Sequence, residues 1–176
     1  MTTDTPRFHR APRPAAAAPA PQGDAANVML EGARRSHALE HFTAALARPV
    51  FLQVLDLGGI NQNNLDFVTG QGHRLYSEDL IRAAEAFFPP GTWDQLHPDE
   101  RKLEEFLQQA LPFPNGAAGA ALVWDQLQFL PPALAGAAAA RLHRVLAPDA
   151  PLLALFHPDS ALTRAAPSSC RILDER

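Results

Sequence analysis

Four short stretches carry side chains whose types and spacing could do chemistry. The first is Asp56-Leu57-Gly58-Gly59, a carboxylate followed by paired glycines. Glycines at that point permit positive φ and close backbone approach, so the turn can present amide groups, and Asn61 beyond it, to a polar ligand. The second is Glu78-Asp79, at about the 20-residue separation where nucleotide-binding α/β units place the acid that accepts ribose hydroxyls. Asp79 also stands directly ahead of an apolar helical pattern, where an acid is an N-cap, and Ser77 could cap equally. The third is Trp124-Asp125-Gln126, in which Asp125 could stabilise a departing positive charge and Trp124 is either core or ligand wall. The fourth is His157, a candidate general base or a hydrogen-bonded loop histidine. Asp125 and His157 are the candidate catalytic residues.

His37-Ala38-Leu39-Glu40-His41 matches the H-x-x-E-H pattern of zinc hydrolases. On a helix its two histidines lie together but nearly opposite Leu39, Phe42 and Leu46, which predicts a solvated face. A catalytic zinc also needs a third ligand and a shielded cavity, which nothing in the sequence supplies. No metal is expected.

Local pattern sets the elements that must position these groups. Residues 50–57 form a nearly unbroken apolar run ended by Gly58-Gly59, as expected of a strand buried on both faces of a parallel sheet. A helix is expected over 63–69, stopped by Gly70-Gln71-Gly72, and a second strand over 73–77 with Glu78 and Asp79 at its carboxyl end. Helices are expected over 28–48, 80–88, 99–111 and 133–146, and strands over 120–124 and 151–156, the last followed by His157. Residues 92–98 with Trp93, and 160–169, read as irregular, and 171–174 as the start of one more strand. Short apolar runs joined by helices argue for an α/β fold with parallel neighbours and right-handed crossovers.

Composition bounds the rest. The 176 residues, 47% hydrophobic and 19% charged, suffice for one core. Residues 1–26, rich in Pro and Ala, cannot offset their ordering entropy by burial and read as a disordered tail ahead of a domain over 27–176. Arg7, Arg10 and Arg13 give that tail a basic cast, but with little Ser and no amphipathic period a linker is favoured over a transit peptide. A net charge of -4 with 15 scattered Lys and Arg gives no reason to expect nucleic acid as a partner. The lone Cys170 excludes an internal disulfide and suggests a reducing, cytoplasmic setting. No apolar stretch reaches the roughly 18 residues of a membrane-spanning helix, so no membrane is expected. No phosphate-binding G-x-x-x-x-G-K and no repeat is present.

Residues 49–80 resemble the opening of the class I S-adenosylmethionine-dependent methyltransferases, whose first strand ends in an acidic-x-Gly-x-Gly-x-Gly loop and whose second ends in an acid. Asp56, Gly58 and Asp79 match; Ile60 and Gln62 stand where that family has its second and third glycines. Residues 111–132 are similar to the approach, fourth strand and exit of small-molecule methyltransferases, with Gln128-Phe129 where many of them carry Glu-His. Leu107 falls where the third strand would end in the acid that binds the adenine amino group, and the sixth and seventh strands are absent.

The resemblance implies a three-layer Rossmann-like methyltransferase fold, mostly parallel and lacking its C-terminal antiparallel hairpin. It implies S-adenosylmethionine as cofactor, contacted by Asp56, Gly58, Gly59, Asn61, Glu78, Asp79, Trp124, Asp125 and Gln126, and a small-molecule or protein methyl acceptor. It also implies an open sheet edge that a second copy or another chain would cover. The departures imply an alternative, a non-catalytic interaction or assembly module whose cofactor pocket has decayed.

Overall fold

The computed structural model describes residues 36–88, 99–157, 167 and 169–173, all within the compact unit Arg35–Arg176. The expectations for 1–26, for the start of the 28–48 helix, for 92–98 with Trp93, for most of 160–169 and for Asp174 lie outside the described residues.

The order is α1 (His37–Leu46), β1 (Gln53–Asp56), α2 (Gln62–Gly70), β2 (Arg74–Ser77), α3 (Leu80–Phe87), α4 (Glu100–Ala110), β3 (Ala120–Trp124), a 3-10 turn (Gln126–Phe129), α5 (Pro132–Val145) and β4 (Leu152–Ala154). The fold is α/β, with four strands in the order β2-β1-β3-β4 and every pairing parallel. Strand residues alternate between two cores. Leu55, Leu57, Ala121 and Val123 face Leu80, Phe106, Leu107, Leu134 and Leu142 of α3, α4 and α5. Val54, Ala120, Leu122 and Leu153 face Phe42 and Leu46 of α1 and Val68 of α2. Helices therefore change faces where the strand order reverses, between β1 and β3, as right-handed crossovers require.

Several boundaries differ from expectation for physical reasons. β1 is shorter than 50–57, because its neighbours begin only at Arg74 and Ala120. Val50 and Phe51 project past the sheet, 60% and 65% exposed. Likewise 151–156 supplies only the three residues of β4. A 3-10 turn fills the stretch just beyond β3, which the sequence pattern left unassigned before Phe129. Residues 171–173 are no strand: Ile172 is buried between α1, α2 and β3 in the second core. No strand lies between β2 and β3 among the described residues, and Leu107 is buried inside α4. Neither β2 nor β4 has a second strand neighbour among the described residues, and Leu152 and Phe156 near the β4 edge are exposed.

Two polar pins hold the base of the sheet. His73, 6% exposed, has Nε2 at 2.7 Å from the Leu46 carbonyl while Nδ1 accepts the Leu52 amide at 3.3 Å. Those partners fix the neutral tautomer protonated at Nε2 and tie the end of α1 to the entrances of β1 and β2. Arg141 of α5 donates from Nη2 to the carbonyls of Leu111 and Phe113, both at 3.0 Å, fixing the turn that leads into β3. Arg141→Met keeps the aliphatic stem but leaves both carbonyls without this donor. It is expected to cost about 1–2 kcal/mol, read as a lower thermal midpoint by circular dichroism.

Candidate functional site

In an open α/β sheet the crevice lies beyond the carboxyl ends of the strands where their order reverses. Here that is the rim of β1 and β3. Asp56 ends β1 and is fully buried, and both of its oxygens are engaged. Oδ1 accepts the Gly58 amide at 3.1 Å and the Trp124 indole N–H at 2.8 Å; Oδ2 accepts the Asn64 side-chain amide at 2.8 Å. A buried carboxylate held by three donors is a structural keystone, and it turns inward from the rim.

Trp124 reaches Asp56 with its indole N–H, from an unusual backbone. Its φ of 53 lies in the left-handed region, at a register shift between β3 and β4. For a bulky residue that conformation costs on the order of 1–3 kcal/mol. The burial of the indole, 4% exposed and set against Gly58, offsets it. A Cβ on Gly58 would stand 2.6 Å from Trp124 Cδ1, so the glycine's free face is taken by the indole.

The glycine turn and the second acid meet. Gly58 and Asp79 form an antiparallel bridge, the Gly59 amide donates to the Glu78 carbonyl at 3.2 Å, and the Glu78 amide donates to the Asp56 carbonyl at 2.8 Å. Gly59, at φ 84, makes the bend, and a Cβ there would stand 3.4 Å from the Asp79 carboxylate. Asp79 caps α3, its Oδ1 accepting the Arg82 amide at 2.9 Å. Capping does not exhaust it, because an ionised carboxylate offers about four acceptor positions. Asn61 caps α2, accepting the amides of Asn63 and Asn64, and Ile60 is 90% exposed.

An open crevice of about 490 Å³ is lined by Gly58, Asp79 and Gln126 and by Ile81, Arg82 and Glu85 of α3, with Pro167 and Ser169 from the C-terminal stretch. Three of the nine residues that the resemblance pointed to thus share this wall. Asp56 and Trp124 lie behind it in the keystone network, and Gly59, Asn61, Glu78 and Asp125 do not line it. Gln126 is 3% exposed, and its Oε1 is buried with no hydrogen-bond partner among the described residues.

The two candidate catalytic side chains also come together. His157 Nε2 lies 3.4 Å from Asp125 Oδ2, with Asp125 1% exposed and the histidine at the surface. Gln128 clamps the histidine backbone, accepting its N–H at 2.8 Å and donating to its carbonyl at 3.2 Å. The arrangement can hold and pass a proton, but neither residue lines the crevice. His37 and His41 are exposed; Glu40 pairs with His37 at 3.0 Å on the helix surface, and no metal-binding cluster occurs among the described residues.

Asn64 has a larger role than its sequence context suggested. Besides Asp56 it donates to the Cys170 carbonyl at 3.4 Å, and its Oδ1 accepts the Ile172 amide at 2.8 Å, fastening the C-terminal stretch to β1. The available signal was its place four residues before Val68, on the inward face of α2. Cys170 sits against this network. Burial, and then the negative charges of Asp125 and Asp56, push its thiol up to about 11, so it stays protonated and unreactive through neutral pH.

Comparison with protein-family models, with curated proteins and with solved structures finds no match. Among the described residues, no helix is long and apolar enough to cross a membrane.

Proposed function

We propose that the chain is a class I methyltransferase-like domain that takes S-adenosylmethionine in the crevice beyond β1 and β3, with a small molecule or a protein side chain as methyl acceptor. The observation that carries this is the Gly58–Asp79 bridge: the glycine turn after β1 and the acid after β2 stand side by side at the carboxyl ends of the strands, next to the β1/β3 reversal.

The nucleoside half of the cofactor fits what is present. Asp79 supplies acceptors for ribose hydroxyls, Ile81 an apolar wall, and Gln126 a carbonyl in want of a donor. When bound, the cofactor supplies a methyl group on an intrinsically reactive sulfonium, so the protein gains mainly by alignment and by surrounding the charge that departs. Asp125 and His157 pair with each other at 3.4 Å outside the crevice wall, so Asp125 bears on that charge only from a distance and His157 has no contact with the bound ligand.

Isothermal titration with S-adenosylmethionine and its demethylated product tests this. Binding is expected below millimolar concentration. Asp79→Asn keeps a competent cap and so the thermal midpoint, but loses the charge opposite the ribose and is expected to weaken binding about tenfold. If neither ligand binds folded protein at millimolar concentration, the assignment fails.

One observation favours a second reading, a non-catalytic assembly module. Gly58's free face and both Asp56 oxygens are consumed by Trp124 and Asn64, as expected where a pocket has closed on itself. Absence of binding together with self-association in light scattering would support it.

A further inference from the structure

We propose that residues 169–173 are a detachable strap that closes one wall of the crevice: Ser169 lines the crevice together with Pro167, and Ile172, three residues on, is the anchor seated in the second core. Ile172 is 2% exposed, yet Arg171 before it and Leu173 after it are exposed, as are Ser169 and Pro167. The stretch has no regular secondary structure. Among the described residues, its hydrogen bonds come from a single side chain: Asn64 accepts the Ile172 amide at 2.8 Å and donates to the Cys170 carbonyl at 3.4 Å. One buried side chain and one clamping amide must offset the entropy of ordering the whole stretch, so its release lies at the low end of the domain's local opening energies.

The seat of the strap and the glycine turn share a partner. The Asn64 amide that holds Cys170 also donates to Asp56 Oδ2 at 2.8 Å, and Asp56 Oδ1 accepts the Gly58 amide at 3.1 Å. Gly58 and Ser169 both line the crevice. Undocking therefore takes a wall from the crevice and leaves β1, the glycine turn and α3 in place, because among the described residues none of their hydrogen bonds passes through the strap. A ligand that touches Pro167 or Ser169 binds the docked form better, and by linkage it must favour docking. That coupling to a ligand rests on the cofactor reading above; the detachable strap does not.

Cys170, the chain's single cysteine, reports the state of the strap. Docked, its thiol is pushed up to about 11 by burial and then by Asp125 and Asp56, which leaves on the order of a hundredth of the thiolate of a free cysteine at about pH 8. Released, it reacts as a free thiol. Alkylation by iodoacetamide, followed by mass spectrometry at increasing urea, is expected to be nearly independent of urea below the unfolding transition, and at least about tenfold faster in Ile172→Ala. A rate that rises with urea as steeply as global unfolding overturns the proposal, since Cys170 would then open only with the whole domain. So does an Ile172→Ala variant that is no faster, which would mean that the thiol reacts in the docked form. A variant that fails to fold overturns it too, because Ile172 would then belong to a core the domain cannot lose. S-adenosylhomocysteine, at a concentration that saturates in calorimetry, is expected to slow alkylation about tenfold. Binding without slowing overturns the closure of the crevice by the strap. No binding removes the cofactor reading and leaves the strap to be decided by the urea and Ile172 results.

Discussion

Asp56→Ala is expected to destabilise the domain by about 3–5 kcal/mol, a large part of the roughly 5–15 kcal/mol that holds a domain of this size together. The cause is not loss of a surface acid. Alanine leaves the Gly58 amide, the Trp124 indole N–H and the Asn64 amide without their acceptor in a site with no solvent access. Urea unfolding followed by circular dichroism measures it, and a change below about 0.5 kcal/mol would mean that the three donors find water or other partners.

Asp56→Asn separates geometry from charge. Its oxygen can still accept from Gly58 and Trp124, but its new NH₂ would face the NH₂ of Asn64. Turning the Asn64 amide to relieve that would take the acceptor away from the Ile172 amide. The single change is therefore expected to cost about half as much as alanine and to loosen the C-terminal stretch. Combining it with Asn64→Asp reverses donor and acceptor: the new amide donates to the new carboxylate, whose other oxygen still accepts Ile172. The pair should recover about 1 kcal/mol or more relative to the sum of the single changes. Additive losses would show that Asn64 and Asp56 are neighbours without being coupled.

How much of this could be read from the chain follows from which interactions are local. β3 appears where expected because Ala120 to Trp124 is buried on both faces and bounded by turn residues on each side. The helices over 62–70, 80–87, 100–110 and 132–145 fall within one residue of expectation at each end, since caps such as Asn61, Asp79 and Asp99 are local signals. The length of β1 was not legible, because what stops a strand is where its neighbours begin. Nor was the Asp56, Trp124, Asn64 and Ile172 network, whose hydrogen-bonded partners are separated by up to 108 residues along the chain. Reading Asp56 and Gly58 as a local turn anticipated the bend. It could not anticipate that an indole arriving from β3 would occupy the space a glycine leaves open.

Gly58→Ala tests that last point directly. Its Cβ would stand 2.6 Å from Trp124 Cδ1 and 3.1 Å from the indole nitrogen, closer than non-bonded atoms approach. The ring cannot swing clear, because it is buried, is held by Asp56, and springs from a backbone already in the left-handed region. The substitution is expected to cost about 2–3 kcal/mol and to weaken the near-ultraviolet circular dichroism that a fixed indole produces. In a Trp124→Ala background the clashing ring is gone and no indole N–H remains to be displaced, so the same alanine should cost under about 1 kcal/mol. That non-additivity separates two reasons for a glycine at this turn. A glycine required by the backbone or by a ligand costs the same to replace whichever residue stands at 124, whereas one required by the tryptophan becomes dispensable once the indole is gone.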